Sequence, residues 1–196
     1  MDKTLKYYAE NADKFAADTV SVDFSPVQEK FLSMLAPGAE ILDFGCGTGR
    51  DTKVFLDRGF HVTAVDGSPE LCAIASAYTG IPVRQMLFRE LDENEAYDGI
   101  WACASILHVP SSELPDIFRR MLTALKPKGI IYTSFKYGTF EGERSGRRFT
   151  DFTEETFSAF LKQFPEVTIS EQWISADVRP GREAEKWLNV IIKKDL

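Results

Sequence analysis

ILDFGCGTGR occupies Ile41–Arg50, and VTAVDGSP follows at Val62–Pro69. The first stretch is an apolar run that ends in Asp43 and opens into Gly45, Gly47 and Gly49. The second is an apolar run that ends in Asp66. The pair reads as strand, glycine turn, helix, strand, acid: the first half of a nucleotide-binding α/β unit. Glycines let a backbone turn sharply and approach a ligand closely. An acid about 20 residues beyond such a turn can accept hydrogen bonds from two ribose hydroxyls.

A dinucleotide site asks for G-x-G-x-x-G. Here the spacing is G-x-G-x-G, position 50 is Arg, and Asp43 precedes the glycines. A pyrophosphate would face that carboxylate, which is unfavourable. A ligand with an amino group and a positive sulfonium would not suffer so.

The rest of the composition narrows the class. A chain of 196 residues defaults to one domain. Its net charge of -7 and pI of about 5.0 argue against a nucleic-acid substrate, which usually needs a basic face. Three cysteines without metal spacing point to neither a disulfide framework nor a metal site. The polar start MDKTLKYYAENADKFAAD has no signal-peptide core, and no apolar run is long enough to span a bilayer. The expectation is a reduced cytoplasmic protein, monomer or homodimer, with no DNA, membrane or metal partner.

Along the chain, Thr4–Thr19 reads as one helix, with Tyr8, Ala12, Phe15 and Thr19 on a stripe. Ser25-Pro26 reads as the capped start of a second, ending at Ala36-Pro37-Gly38. Strands are expected at Glu40–Phe44, His61–Val65, Val83–Leu87, Asp98–Ala104 and Ile130–Phe135. Helices alternate with them: one after the glycine turn stopping at Gly59, one from Ser68-Pro69 to Gly80, and one from about Ser112. That alternation predicts right-handed crossovers and a parallel sheet covered on both faces. Tyr137–Phe149 reads as an exposed loop and Glu154–Gln163 as a helix. Val167–Ser175 reads as an edge strand, and Trp187–Ile192 as a more buried one.

These residues resemble class I S-adenosylmethionine (SAM) methyltransferases over essentially the whole chain. The glycine turn is similar to motif I and Asp66 to the ribose acid. LDFGCGTGR with AVDGSP looks like the small subgroup that holds tellurite and thiopurine methyltransferases. Ile106-Leu-His-Val is similar to the segment after strand four, Lys126-Pro-Lys-Gly to the turn before strand five, and YYAENADKF to a helix that closes over the cofactor. The resemblance implies a doubly wound, Rossmann-like α/β fold with a seven-stranded, mostly parallel sheet. Its last strand is inserted antiparallel between its neighbours. Residues 1–38 would form a helical cap and 39–196 the core of a single domain.

Carried over residue by residue, Gly45, Gly47 and Gly49 would face the methionine end of SAM, with Cys46 in the turn and Asp43 and Arg50 at its ends. Asp66 would hold the ribose, with Gly67 and Ser68 beside it. Many relatives have an acid or amide after strand three; here Gln85-Met86-Leu87-Phe88 leaves a backbone contact near Leu87, with Met86 packed on the adenine. Ala102 and Cys103 would form the floor beneath the methyl group, and Tyr8 would lie on the closing helix. DNA amino-methyltransferases usually carry Asn/Asp-Pro-Pro-aromatic after strand four; Cys103-Ala-Ser-Ile argues against that activity.

The candidate catalytic groups are His108, where the cleft should open, and Lys136 at the end of strand five. A strong nucleophile needs no base; a hydroxyl or protonated amine does, and His108 is the candidate. His61, at the start of strand two, reads as structural, and the cysteines as small apolar filler. Tyr137, Arg147, Arg148, Arg179 and Arg182 are the candidate substrate ligands, since guanidinium forks suit oxyanions. The competing reading pairs these arginines with Glu141, Glu143, Asp151 and Asp177 at the surface. The implied function is methyl transfer to a small anionic molecule. Methylation of tellurite or a related oxyanion, and SAM binding without catalysis, are the alternatives.

Overall fold

A computed structural model describes Lys3–Asp195. Helices α1 (Lys3–Glu10), α2 (Ala12–Thr19) and α3 (Ser25–Leu32) precede strand β1 (Glu40–Phe44). Then come α4 (Arg50–Asp57), β2 (His61–Asp66), α5 (Pro69–Thr79), β3 (Arg84–Gln85), β4 (Tyr97–Ala102), α6 (Leu114–Ala124) and β5 (Leu125–Lys136). A hairpin of β6 (Glu141–Arg144) and β7 (Arg147–Thr150) leads to α7 (Glu154–Leu161), β8 (Val167–Ala176) and β9 (Lys186–Lys194).

Seven strands form one sheet in the order β3-β2-β1-β4-β5-β9-β8. The β3-β2-β1-β4-β5 run is parallel, and β9 runs antiparallel to both β5 and β8. The expected fold is therefore the observed one. The chain leaves β1 toward β2 on one side and returns to β4 on the other. A crevice opens at that switch point, beyond the carboxyl ends of β1 and β4.

Successive strand residues point to opposite faces, and the core follows that alternation. Leu42, Ile100, Ala102, Ile131 and Phe135 face α6 and α7. Ile41, Trp101, Ile130 and Tyr132 face α3 and α4, where Phe31 and Phe55 meet them. Trp101 stacks on Tyr132 with centroids 4.1 Å apart. Both faces are thus sealed, as a parallel sheet requires.

Several local expectations are corrected. The first helix is two, broken at Asn11. Ser25 is the first residue of α3 and not its cap; Phe24 holds the cap position, and the Ser25 N–H donates to Asp23 Oδ1. Tyr137–Phe149 is mostly the β6–β7 hairpin, closed by Ser145-Gly146, both at positive φ. Such a two-residue turn matches the twist of its strands. Strand β3 is only two residues long. Strand β5 starts at Leu125, with an irregularity opposite Tyr97–Gly99. The α5 expectations hold: Ser68 Oγ accepts from Leu71 N, and Gly80 closes the helix at φ +80°.

Candidate active site

A cavity of about 560 Å³ lies over the carboxyl ends of the strands. Its floor is the glycine turn, Asp66 and the segment after β4. Its roof is α1, α2, strand β7 and the loop between β8 and β9.

The glycine turn is held from below by Asp66. One carboxylate oxygen accepts from Gly47 N at 2.9 Å, and the other accepts from Ser68 N at 2.9 Å. Burial pushes this carboxyl up to about 6, against the pull of those N–H donors. Both oxygens keep further acceptor capacity toward the cavity. Gly45 stands at φ +87°, and a Cβ there would lie 2.5 Å from Ser105 Cβ. Gly45→Ala is therefore expected to cost about 1–3 kcal/mol in strain. At this chain size that is a fall in melting temperature of roughly 2–4 °C per kcal/mol. A thermal melt within 1 °C of wild type would count against the cradle.

Helices α1 and α2 lie directly on this turn. A Cβ on Gly47 would meet the Phe15 ring at 3.2 Å, and one on Gly67 would meet Leu5 at 2.7 Å. Leu5 and Leu87 flank Gly67, and Leu71 and Met86 add apolar surface to the cavity lining. Tyr8 also lines the cavity. Its ring packs edge-on against Phe15 and His108, and its hydroxyl lies 2.9 Å from His108 Nε2.

His108 sits in a 3-10 turn after β4, as expected of a cleft residue. Its Nδ1 lies 2.6 Å from the Arg148 carbonyl oxygen. A carbonyl can only accept, so Nδ1 carries a proton, and in the neutral tautomer Nε2 is an acceptor. The Tyr8 hydroxyl therefore donates to it. Burial holds the Tyr8 phenol above its usual range, so it stays protonated.

Of the sequence-predicted cofactor set, Tyr8, Gly45, Cys46, Gly47, Arg50, Asp66, Gly67, Met86, Leu87 and Cys103 line the cavity. Asp43, Gly49, Ser68 and Ala102 do not; they shape it from behind. Asp43 is buried and accepts from Thr52 Oγ1 at 2.5 Å. Burial and neighbouring Asp51 push its carboxyl up to about 8. Gly49 caps α4 in the left-handed region, where a Cβ would strike Thr79 of α5 at 2.6 Å. Cys46 and Cys103 are driven upward, Cys103 to about 12, chiefly by burial. They remain thiols at neutral pH and are not nucleophiles there.

Asp51 was not anticipated. It takes a two-pronged contact from Arg50, a 2.6 Å bond from Gln28 Nε2 and a 2.9 Å bond from Trp101 Nε1. From sequence, an acid in the first turn of α4 reads only as a helix-end charge.

On the acceptor side the expectations divide. Lys136 lines the cavity, yet its ammonium pairs with Asp177 and Glu185 and lies 3.9 Å from the Trp187 ring centroid. It ties the 177–185 loop to the end of β5. Arg179 makes a fork to Asp177, and Arg182 a fork to Glu185. Arg148 pairs with Glu141, and the Tyr137 hydroxyl with Glu154; neither residue lines the cavity. Arg147 lines it and makes no ion pair among the described residues. No group of three or more His, Cys, Asp or Glu arranged to hold a metal is found among the described residues, and no helix there is long and apolar enough to cross a membrane.

Comparison with known proteins accords with this architecture. Residues 41–129 match the family model described as a methyltransferase domain. The whole chain is similar in fold to the 1,6-didemethyltoxoflavin-N1-methyltransferase of Burkholderia thailandensis, solved with 1,6-didemethyltoxoflavin and S-adenosylhomocysteine. That match has a TM-score of 0.76 and 24% identity, and covers 97% of this chain and 84% of that one. A SAM-dependent methyltransferase from Methanosarcina mazei gives a TM-score of 0.75 at 18% identity, over 89% of this chain and 100% of that one. In sequence, the chain is 32% identical over 155 residues to a ubiquinone biosynthesis O-methyltransferase of Xylella fastidiosa, or 68% of this chain and 62% of that protein. The chain thus spans less than two thirds of that relative's length. It has the Rossmann-like fold of these solved methyltransferases, and its residues 41–129 match the methyltransferase domain model.

Proposed function

We propose that this chain is a SAM-dependent methyltransferase acting on a small anionic molecule. One observation carries the reading. One cavity holds the glycine turn and Asp66 at one end, and at the other His108, whose Nδ1 is fixed on the Arg148 carbonyl and whose Nε2 meets the Tyr8 hydroxyl. The residues fit the cofactor. Asp66 offers buried carboxylate oxygens to a ribose, Gly45 and Gly47 at positive φ form the tight turn beside it, and Leu71, Met86 and Leu87 offer apolar surface to an adenine. The bound cofactor supplies an activated methyl group. The chain positions the acceptor, covers the site with α1 and α2, and passes the acceptor's proton through the Tyr8 hydroxyl, which takes it as it gives its own to His108 Nε2.

Release of S-adenosylhomocysteine from methyl-labelled SAM in the presence of a metabolite extract tests the proposal. Mass spectrometry would then identify the labelled product. Tight SAM binding with no transfer to any fraction would leave the non-catalytic alternative. Tellurite rests on the motif resemblance alone and enters the same assay as one acceptor among others.

The roof makes a separate prediction. Helix α1 is anchored by side-chain contacts: the Arg148 N–H to Thr4 Oγ1 at 3.1 Å, and Lys3 to Glu143 at 2.9 Å. The exposed Lys3–Glu143 pair contributes only about 0–1 kcal/mol. Hydrogen exchange of residues 4–19 should therefore slow when S-adenosylhomocysteine is added, as a closing lid requires. Equal exchange with and without ligand would mean a permanently packed helix.

A further inference from the structure

We propose that Arg147 is the anchor of the acceptor site, and that the acceptor is a planar aromatic carboxylate. This rests on the methyltransferase reading above and names its substrate class.

The argument begins with charge. Six lysine or arginine side chains line the cavity, and four are already paired: Arg50 with Asp51, Lys136 with Asp177 and Glu185, Arg179 with Asp177, and Arg182 with Glu185. A fifth, Arg89, is exposed. Arg147 is neither exposed nor paired with a carboxylate among the described residues. One of its terminal nitrogens lies 3.4 Å from the Tyr8 oxygen, a long contact, and its Nε is enclosed with no acceptor. Its guanidinium is wrapped by rings, 4.6 Å from the Tyr7 centroid, 5.8 Å from Tyr8 and 5.3 Å from Phe149. Rings hold a cation in place but accept none of its five N–H donors in a strong hydrogen bond. A half-buried guanidinium whose donors meet no protein carboxylate is matched by a ligand carboxylate, which takes two parallel N–H bonds.

Position and shape narrow the class. The Tyr8 hydroxyl touches both Arg147 and His108, so an anion on Arg147 would lie one side chain from the accepting Nε2. The wall there is aromatic and aliphatic. Phe149 meets the His108 ring edge-on at 5.0 Å, and Leu107, Val109 and Phe88 continue the surface. A flat apolar body with one anionic edge fits a charged fork set in such a wall.

Calorimetric titration of benzoate into protein saturated with S-adenosylhomocysteine tests this, with neutral benzamide as the isostere. Wild type should bind benzoate at least about tenfold more tightly than benzamide, as a two-pronged charge-assisted contact predicts. Arg147→Gln should abolish that preference, and Arg147→Lys should restore part of it. Affinity for S-adenosylhomocysteine should stay within about twofold in both variants, since the acceptor contact is separate. Wild type that binds S-adenosylhomocysteine but shows no benzoate preference overturns the proposal. So does an unchanged preference in Arg147→Gln. Loss of S-adenosylhomocysteine binding in Arg147→Gln but not in Arg147→Lys would assign the guanidinium to the cofactor's own carboxylate, and overturns it too. Failure of wild type to bind S-adenosylhomocysteine at all would instead remove the cofactor reading, and the acceptor assignment with it.

Discussion

Glutamine in place of His108 should slow methyl transfer by about 10²–10⁴-fold, the usual contribution of a positioned general base. The substitution keeps a polar side chain of similar reach but has no nitrogen that can take up a proton. Its geometric cost is small if the amide still donates to the Arg148 carbonyl, which His108 Nδ1 now reaches at 2.6 Å. Affinity for S-adenosylhomocysteine should be nearly unchanged, because the cofactor end is built on the glycine turn and Asp66. The check is kcat with the acceptor found by extract screening, beside calorimetry with S-adenosylhomocysteine. Equal loss of cofactor affinity would show that His108 holds the roof through Tyr8 and does not handle the proton. An unchanged kcat would mean that the acceptor is nucleophilic without help.

Replacing Asp66 by alanine should weaken SAM binding at least tenfold. Each ribose hydroxyl bond to a charged acceptor contributes roughly 1.5–3 kcal/mol, and about 1.4 kcal/mol is already a factor of ten. The structure adds a second cost, since Asp66 also accepts from Gly47 N and Ser68 N and so fixes the turn itself. The carboxyl stands at about 6, raised by burial. Two opposite pH effects follow. The folded protein binds this proton more tightly than the unfolded chain does. Asp66 therefore favours folding most at low pH, and that contribution is lost as pH rises through about 6. Cofactor binding needs the ionised form, so affinity should fall as pH drops below about 6, toward about tenfold per pH unit. Calorimetry at several pH values, on wild type and Asp66→Asn, measures both effects. A flat profile in wild type would mean that Asp66 does not carry the ribose.

The first half of the fold was legible because its signals are local. The apolar runs around Gly45, Gly47 and Gly49, the acid at Asp66 and the Ser68-Pro69 cap each act within a few residues of where they are read. The antiparallel β9 came from resemblance, since no local pattern tells which neighbours a strand will take. The acceptor side was least legible, because its pairings cross the chain. Lys136 meets partners 41 and 49 residues away, and Tyr8 meets His108 100 residues away. Sequence could list the loop arginines as candidates. Arg179 and Arg182 pair with acids only two and three residues away, a pairing of the kind sequence could offer; that Arg147 was left among rings of α1 and β7 it could not show. The hairpin was missed for another reason. Charged residues crowd both of its strands, so the alternation that marks a half-buried strand is absent from Glu141–Arg147, and only Ser145-Gly146 signals the reversal.

Helix α1 has one more consequence. On one side Leu5 rests over Gly67, at the glycine-turn end; on the other Thr4 and Tyr8 grip Arg148 and His108, at the far end. Eight residues therefore report on both halves of the cavity at once. A ligand at either end that favours the seated helix prepays part of the ordering cost for the ligand at the other. Such coupling is reciprocal: whatever factor the cofactor product adds to acceptor affinity, the acceptor returns to the cofactor product. Substrate synergy is then a property of one short amphipathic segment, and a helix that no longer seats would leave two independent, weaker sites.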